Sequence, residues 1–185
     1  MPPKKSPSSV FQIKVTLAQT KPPVWRRFLI RSNARLSELH VCIQIVMGWY
    51  NSHLHEFSIY DREYGMTADT ELGHLNENRY TLNKLVGPGS KFQYTYDFGD
   101  NWNHKITIEK ELPAEPGTKY PICTAGKNAC PPEDCGGPWV YPDFLAAVAN
   151  PQHPDHEDMI EWIGGKFDPS AFDLDAVNAR LRVWE

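Results

Sequence analysis

Residues 92–108 read FQYTYDFGDNWNHKITI, and they carry the clearest structural pattern in the chain. Apolar or aromatic side chains alternate with polar ones on both sides of Gly99-Asp100-Asn101, a sequence with the composition of a turn. The pattern predicts a long β-hairpin with one buried face. That face is expected to consist of alternate residues from both strands: Phe92, Tyr94, Tyr96, Phe98, Trp102, His104, Ile106 and Ile108.

Outward from the hairpin, the same period of two predicts strands at residues 10–17, 24–30 and 53–60. Residues 36–47 instead repeat apolar side chains at helical spacing, and the last third of the chain is predicted to be helical, with Pro142 opening its first helix. Strands that precede helices in this way indicate an α+β fold. We expect an antiparallel sheet built around the hairpin, with helices packed on it and a helical C-terminal third.

The length and composition fit one globular domain. The chain has 185 residues and a formal net charge of −4. Residues 1–9 contain no apolar run and predict a disordered tail, so the domain is expected to span residues 10–185. Neither a signal peptide nor an apolar run of about 20 residues is found, which indicates a cytoplasmic protein that does not enter a membrane.

Three cysteines share the proline- and glycine-rich loop at residues 113–140, as Cys123-x6-Cys130-x4-Cys135. In a reducing compartment, clustered loop cysteines are candidate zinc ligands, and His104 or His55 would be the fourth ligand if the loop folded over the hairpin. The alternative is that the three thiols pack the loop. The spacing does not decide between a zinc site and packing, because it lacks paired Cys-x2-Cys ligands.

A second concentration of polar groups combines the hairpin end with the Cys-Pro-Pro-Glu-Asp sequence at residues 130–134. Histidine next to carboxylates suits a metal site or general acid–base chemistry, although a lone histidine on an apolar strand face is usually a core residue. Exposed tryptophan at such a place would suit protein recognition. The candidate functional surface consists of His55, Asp97, Asp100, Trp102, His104, Glu133 and Asp134.

Several of these segments together resemble the plasmid pRiA4b ORF-3-like family. The resemblance runs in order from about residue 10 to residue 181, and one departure is Val140-Tyr141, where the family often has Gly-Tyr. The family implies an α+β domain, found in bacteria and archaea and sometimes on plasmids, with one group named as the insertion-element passenger protein TnpR. The segments that carry the resemblance are PPVWRR at 22–27, GW at 48–49, HLHEF at 53–57, YDFGDNWNH at 96–104, ACPPEDCGG at 129–137 and EWIGG at 161–165.

Three functions remain open from the sequence. The first is a binding or adaptor domain with a protein partner, accessory to plasmid or mobile-element functions. The second is a metal-dependent hydrolase-like enzyme at the hairpin end, with Glu133 or Asp100 as base. The third is a DNA-binding accessory factor, which the negative charge disfavours and which requires Arg26, Arg27, Arg31 and Arg35 to gather on one face.

Overall fold

The computed structural model describes residues 8–66 and 73–184. Within these ranges the chain forms one sheet of eight strands and five α-helices. The strands are β1 (Ser9–Leu17), β2 (Trp25–Arg31), β3 (His55–Ile59), β4 (Arg62–Gly65), β5 (Leu75–Asn76), β6 (Lys91–Tyr96), β7 (Trp102–Pro113) and β8 (Ile122–Lys127). The helices are α1 (Leu36–Met47), α2 (Leu82–Leu85), α3 (Gly137–Ala149), α4 (His156–Ile163) and α5 (Leu174–Val183).

The sheet is centred on the predicted hairpin. Its strand order is β5-β4-β3-β6-β7-β1-β2-β8, and every neighbouring pair is antiparallel except β4 and β5. Tyr96 pairs with Trp102 at the turn end of the hairpin, and Lys91 pairs with Thr107 at the other end. The α+β prediction is therefore confirmed.

One face of the sheet is buried under helix α1. The strand residues of this face, such as Ile13, Phe28 and Ile106, are fully buried, and they share one core with Leu39 and Ile43 of the helix. Burying a side chain of this size contributes about 1.5–3 kcal/mol, so the alternating pattern sets which side of each strand faces the helix.

Three of the sequence predictions need correction. The predicted loop at residues 113–140 contains strand β8 and the start of α3. Phe98 is not part of the buried face but is 49% exposed, because Asp97 has a φ of 57° and turns the chain out of the strand. Helix α3 begins at Gly137 rather than near Pro142, because Pro138 already supplies a favourable first turn, and Pro142 lies inside the helix.

The expected tail at residues 1–9 is covered only in part. Residues 1–7 lie outside the described residues, and Ser9 already belongs to β1, where it pairs with Pro113. In the described ranges, none of the helices has both the length and the apolar character that crossing a bilayer requires.

Arg26 is a buried cation that cross-links the domain. It is 3% exposed, and its guanidinium donates to the carbonyl oxygens of Val46 at 2.8 Å, Lys127 at 2.9 Å and Asn128 at 2.9 Å. The group also lies over the ring of Phe172, 4.4 Å from its centroid. Burial lowers the pKa of Arg26. One side chain thus ties the end of α1 to the end of β8.

The burial of Arg26 bears on the DNA-binding hypothesis. Its neighbour Arg27 lies on the opposite face of β2 and forms an ion pair with Glu109, with 2.7 Å between Nε and Oε2. The DNA-binding hypothesis requires one cationic surface formed by four arginines, Arg26, Arg27, Arg31 and Arg35. The structure does not provide it, because Arg26 is buried and Arg27 lies on the other face of β2.

Helix α1 also carries a polar group into the core. His40 is 4% exposed, and its ring nitrogens lie 2.7 Å from the hydroxyl oxygen of Tyr94 and 2.8 Å from Oδ1 of Asn51. Gln44, one turn further on, donates to the same tyrosine hydroxyl and accepts from the backbone N–H of Asn51 at 3.0 Å. Helix α1 thereby fixes the segment that leads into β3.

We predict that the folded protein loses stability as the pH falls below about 6.5. Burial lowers the pKa of His40 to about 3 and that of His104 to about 4. Below about pH 6.5 the unfolded chain therefore binds protons at these two histidines that the native state does not bind. Each such proton lowers the free energy of unfolding by about 1.4 kcal/mol per pH unit. The stabilising contribution of the two neutral histidines is fully present above the unfolded pKa of about 6.5, and it is lost as the pH falls toward the folded pKa values.

Urea unfolding between pH 7.5 and 5.5 measures this effect. His40→Gln is expected to be less stable than the wild type but to have a shallower pH dependence, and His104→Gln should flatten the curve in the same way. A wild-type curve that is level over this range, or a His40→Gln curve with the wild-type slope, would contradict the prediction.

Candidate functional site

The turn of the central hairpin presents a carboxylate at the end of β6. Asp97 has a φ of 57°, and its Oδ1 accepts hydrogen bonds from the backbone N–H groups of Gly99 at 2.9 Å and Asp100 at 3.3 Å. Aspartate tolerates this left-handed backbone better than most residues because its short side chain can bond to the chain ahead. One oxygen therefore holds the turn, and Oδ2 remains available to face other groups.

The segment before β3 is fastened to the hairpin by a tyrosine. The backbone N–H groups of Ser52 and His53 donate to the hydroxyl oxygen of Tyr96, at 2.9 and 3.3 Å. The same hydroxyl group donates to Oε1 of Glu133. This hydrogen bond and burial raise the pKa of Tyr96, burial being the larger cause. Tyr96 thus brings the 51–53 segment and the Glu133 loop to one place.

The loop at residues 130–136 is held at two further points. The indole N–H of Trp49 donates to the carbonyl oxygen of Pro131 at 2.9 Å, and Asp100 Oδ2 accepts from the N–H of Gly136 at 3.2 Å. Gly137 follows with a φ of 76° and approaches Asp100 so closely that an added Cβ would lie 2.3 Å from its carbonyl oxygen. The loop therefore packs directly against the hairpin turn.

These contacts bring His53, Asp97 and Asp134 together. His53 Nε2 lies 2.9 Å from Asp134 Oδ1 and 3.6 Å from Asp97 Oδ2. The three ligand atoms lie within 4.8 Å of one another, and among the described residues this is the one group of three or more such side chains with that spacing. Ligands of a single ion about 2.1 Å away are separated by roughly 3–3.5 Å, so small side-chain rotations suffice to bind one.

The histidine in this group lacks an aligned partner. Although Asp134 is close, it does not meet hydrogen-bond geometry, and Nε2 of His53 is a buried ring nitrogen without a hydrogen bond. The side chain of Asp134 is 67% exposed, whereas that of Asp97 is 11% exposed. A ring nitrogen and two carboxylates that converge in this way, open on one side, form a set of donors suited to a divalent cation.

Two grooves open on either side of Asp134. One has a volume of about 390 Å³ and lies between α3 and α4; the other has a volume of about 470 Å³ and lies between the loop and Tyr50. Asp134 and Trp162 line both grooves, and Glu133 lines the second. Asp134, the most exposed member of the cluster, is therefore accessible from two sides.

The cysteines predicted as zinc ligands lie on strand β8 and on the 130–136 loop. Cys123 is a buried residue of β8 whose thiol lies 3.5 Å from the carbonyl oxygen of Arg27. Cys130 and Cys135 lie on the loop, where burial raises the pKa of both thiols, that of Cys135 to about 12. The four predicted ligands do not form a group of three with metal-ligand spacing in the described part of the chain.

His104 and Trp102 lie in the core rather than at the surface. Both are 1% exposed, and His104 Nδ1 lies 3.2 and 3.1 Å from the carbonyl oxygens of Tyr94 and Trp102. Since a carbonyl oxygen only accepts, Nδ1 carries the proton and Nε2 is the unprotonated nitrogen. His104 Nε2 and Trp102 Nε1 are both buried without a hydrogen-bond partner. Both rings contact Trp49, whose indole N–H donates to Pro131 of the loop.

His55 also points inward, away from the loop acids. Its Nε2 lies 2.8 Å from Oε2 of Glu77, and its ring stacks on His40 with 3.5 Å between centroids. All three residues are buried: His55 and His40 are each 4% exposed, and Glu77 is 3% exposed. The predicted residues that lie where the hairpin turn meets the loop are Asp97, Asp100, Glu133 and Asp134.

His53 is the site residue that the sequence reasoning missed. It precedes the predicted candidate His55 by two residues and therefore shares its strand parity. The available signal was this His-x-His pair at the start of a strand, where the outer histidine escapes the core. Glu77 was also missed, because it follows a polar loop without a periodic pattern.

Comparison with known proteins gives one consistent result. A family model described as plasmid pRiA4b ORF-3-like protein matches residues 9–176. Uncharacterized protein y4hQ of Sinorhizobium fredii (strain NBRC 101917 / NGR234) is 42% identical over 176 residues, which cover 92% of this chain and 90% of that protein. The crystal structure of protein of unknown function MM3350 from Methanosarcina mazei Go1 superimposes with a TM-score of 0.83 at 36% identity, covering 92% and 98% of the two chains.

We predict that Gly137→Ala destabilises the protein more than Gly164→Ala. Both glycines have positive φ, 76° and 74°, so both variants bear the same backbone strain, but an added Cβ meets Asp100 only at Gly137 and nothing within 4 Å at Gly164. The steric conflict should cost a further ~1–3 kcal/mol in the free energy of unfolding. Urea denaturation of both variants tests this, and equal losses would show that the loop moves away freely.

Proposed function

This chain belongs to the plasmid pRiA4b ORF-3-like family, and we propose that it is a binding domain organised by a divalent metal ion at His53, Asp97 and Asp134. The observation that carries the proposal is the convergence of these three ligand atoms within 4.8 Å from three separate segments of the chain. An ion there would join the 130–136 loop to the hairpin and fix the surface on either side of Asp134. The plasmid in the family description is our reason for expecting a partner from plasmid or mobile-element functions.

The donor set supports zinc or manganese. Imidazole favours zinc and related transition metals, whereas carboxylates and water also suit manganese. Three protein ligands leave at least one position for water or a ligand atom. The alternative of a zinc site at Cys123, Cys130, Cys135 and His104 stays a prediction, and it would require the thiolates to form despite burial that raises their pKa.

We predict that Asp97→Asn weakens metal binding at least tenfold without unfolding the turn. Asparagine tolerates the same positive φ and keeps an oxygen to accept from Gly99 and Asp100, but it removes the negative charge that faces His53. Elemental mass spectrometry of chelator-free protein and calorimetric titration with Zn²⁺ and Mn²⁺ would measure the change, with about one ion per chain expected for the wild type.

Asp61→Asn is the matched control, because Asp61 is an exposed turn aspartate between β3 and β4, away from the cluster. It should bind metal like the wild type. Equal binding by Asp97→Asn would refute the proposed site, as would a wild-type protein that binds neither ion. Loss of metal in Cys123→Ser and Cys130→Ser instead would place the ion at the cysteines.

A hydrolase-like enzyme is the second candidate function, and the position of Glu133 favours it. Its Oε1 accepts from Tyr96 and its Oε2 lies 3.4 Å from the Ser52 hydroxyl, at the edge of the 470 Å³ groove that Asp134 also lines. A metal ion lowers the pKa of bound water, and a nearby carboxylate can act as general base. We keep this candidate secondary because both Glu133 oxygens already have structural partners.

We predict that any hydrolysis at this site falls by about 100-fold or more in Glu133→Gln, while metal content is unchanged. Glutamine still accepts from Tyr96 but does not take up a proton. Metal-loaded protein would be assayed with phosphomonoester, carboxylic ester and peptide substrates. Activity that survives in Glu133→Gln would exclude this residue as the general base. A wild-type protein inactive toward all three substrate classes would exclude the hydrolase candidate, and only the binding role would remain.

A further inference from the structure

The groove between α3 and α4 has apolar walls and an acidic rim. Its volume is about 390 Å³. The walls consist of Val140, Phe144, Ala147, Met159 and Trp162, and the rim carries Asp134, Asp143, Asp155 and His153. A bound ligand would therefore meet apolar side chains at the walls and negative charge at the rim.

Large apolar side chains remain exposed on α3 and α4, and two of them, Val140 and Trp162, line this groove. Trp139 is 81% exposed, Val140 is 47% exposed and Trp162 is 46% exposed. Helix α4 contains no buried residue at all, so its apolar side chains are only partly covered by α3. A concentration of exposed tryptophan and aliphatic side chains is typical of a recognition surface.

Charge is distributed very unevenly along the chain. Residues 128–165 contain seven Asp and Glu and no Lys or Arg, which gives this segment a formal charge of −7. Because the whole chain has a net charge of −4, the remaining residues together carry +3. The loop, α3 and α4 therefore form an acidic region in a molecule that is otherwise basic.

We infer that the α3–α4 groove binds a basic segment of a partner polypeptide, with an aromatic or aliphatic side chain in the groove and a flanking Lys or Arg at Asp143 and Asp155. This inference rests on the proposed binding role and names the class of its partner. An apolar anchor matches the walls, and a cation matches both the rim carboxylates and the face of Trp162. Nucleic acid does not match, since its phosphates would meet a region of charge −7.

Selection from a random 12-residue peptide library displayed on phage tests the inference, with immobilised full-length protein as bait. Enriched peptides are expected to carry Lys or Arg within three residues of an aromatic or aliphatic side chain. A representative peptide would then be titrated by fluorescence polarisation. The Asp143→Asn/Asp155→Asn double variant should bind it at least tenfold more weakly, and Trp162→Ala should also lose affinity.

The control is Tyr60→Ala, which removes an aromatic side chain that is 75% exposed on the turn between β3 and β4. It should bind like the wild type. Enrichment of acidic or uncharged peptides, an absence of enrichment, or equal binding by the double variant would each overturn the inference. Binding of a labelled DNA duplex in place of peptide would do the same.

These experiments distinguish failure of the proposed metal site from failure of the proposed peptide-binding groove. Peptide titrations with Asp97→Asn and with EDTA-treated wild type report the groove when the ion is absent. Metal binding without peptide binding would refute only the peptide inference. Peptide binding that persists in a protein without any metal affinity would refute only the metal site.

Discussion

Three separate segments of the chain meet at the hydroxyl group of Tyr96. It accepts from the backbone ahead of β3, at Ser52 and His53, and it donates to Glu133 on the loop. Tyr96 itself is 1% exposed and belongs to the central hairpin, so its position is set by strand pairing and by stacking on Trp49. The spacing of the three ligands follows from this arrangement. His53 itself donates to the tyrosine, Asp97 is the next residue after Tyr96, and Asp134 is the next residue after Glu133.

The same dependence extends into the core. Asn51, just before the site, is held by His40 and Gln44 of α1, and His40 in turn stacks on His55. On the other side, Arg26 joins the end of α1 to the end of β8 through carbonyl oxygens alone. Polar groups buried at this depth stabilise a fold only when they are satisfied, and they then specify one arrangement of the elements.

The fold was largely predictable because burial repeats with a regular period. Alternation along residues 92–108 located the hairpin, and the buried side chains of β1 follow the pattern read from residues 10–17. The exposure of Phe98 was not predictable from alternation, because a single positive φ at Asp97 ends the strand. Likewise, the burial of Arg26 depends on carbonyl groups about 20 and 100 positions away in the sequence.

The site was predictable in part. The hairpin end and the 130–134 sequence were identified as one surface, and Asp97 and Asp134 do approach a common histidine. That histidine is His53 rather than His55 or His104, because the pairing of β3 with β6 begins at His55 and draws it into the core opposite Tyr96. Sequence spacing does not reveal where a strand stops being covered, and which histidine stays outside the core depends on that boundary.

The separation of charge described for residues 128–165 has a kinetic consequence. A molecule with −7 on one segment and +3 on the remainder has a permanent dipole, and a basic partner of the proposed kind would be oriented by it at separations of about 10 Å, before any side chains touch. Encounters are then concentrated on the acidic end, which raises the association rate at low ionic strength. Dissociation is governed instead by the apolar contacts, so salt should act on how fast a complex forms far more than on how long it lasts.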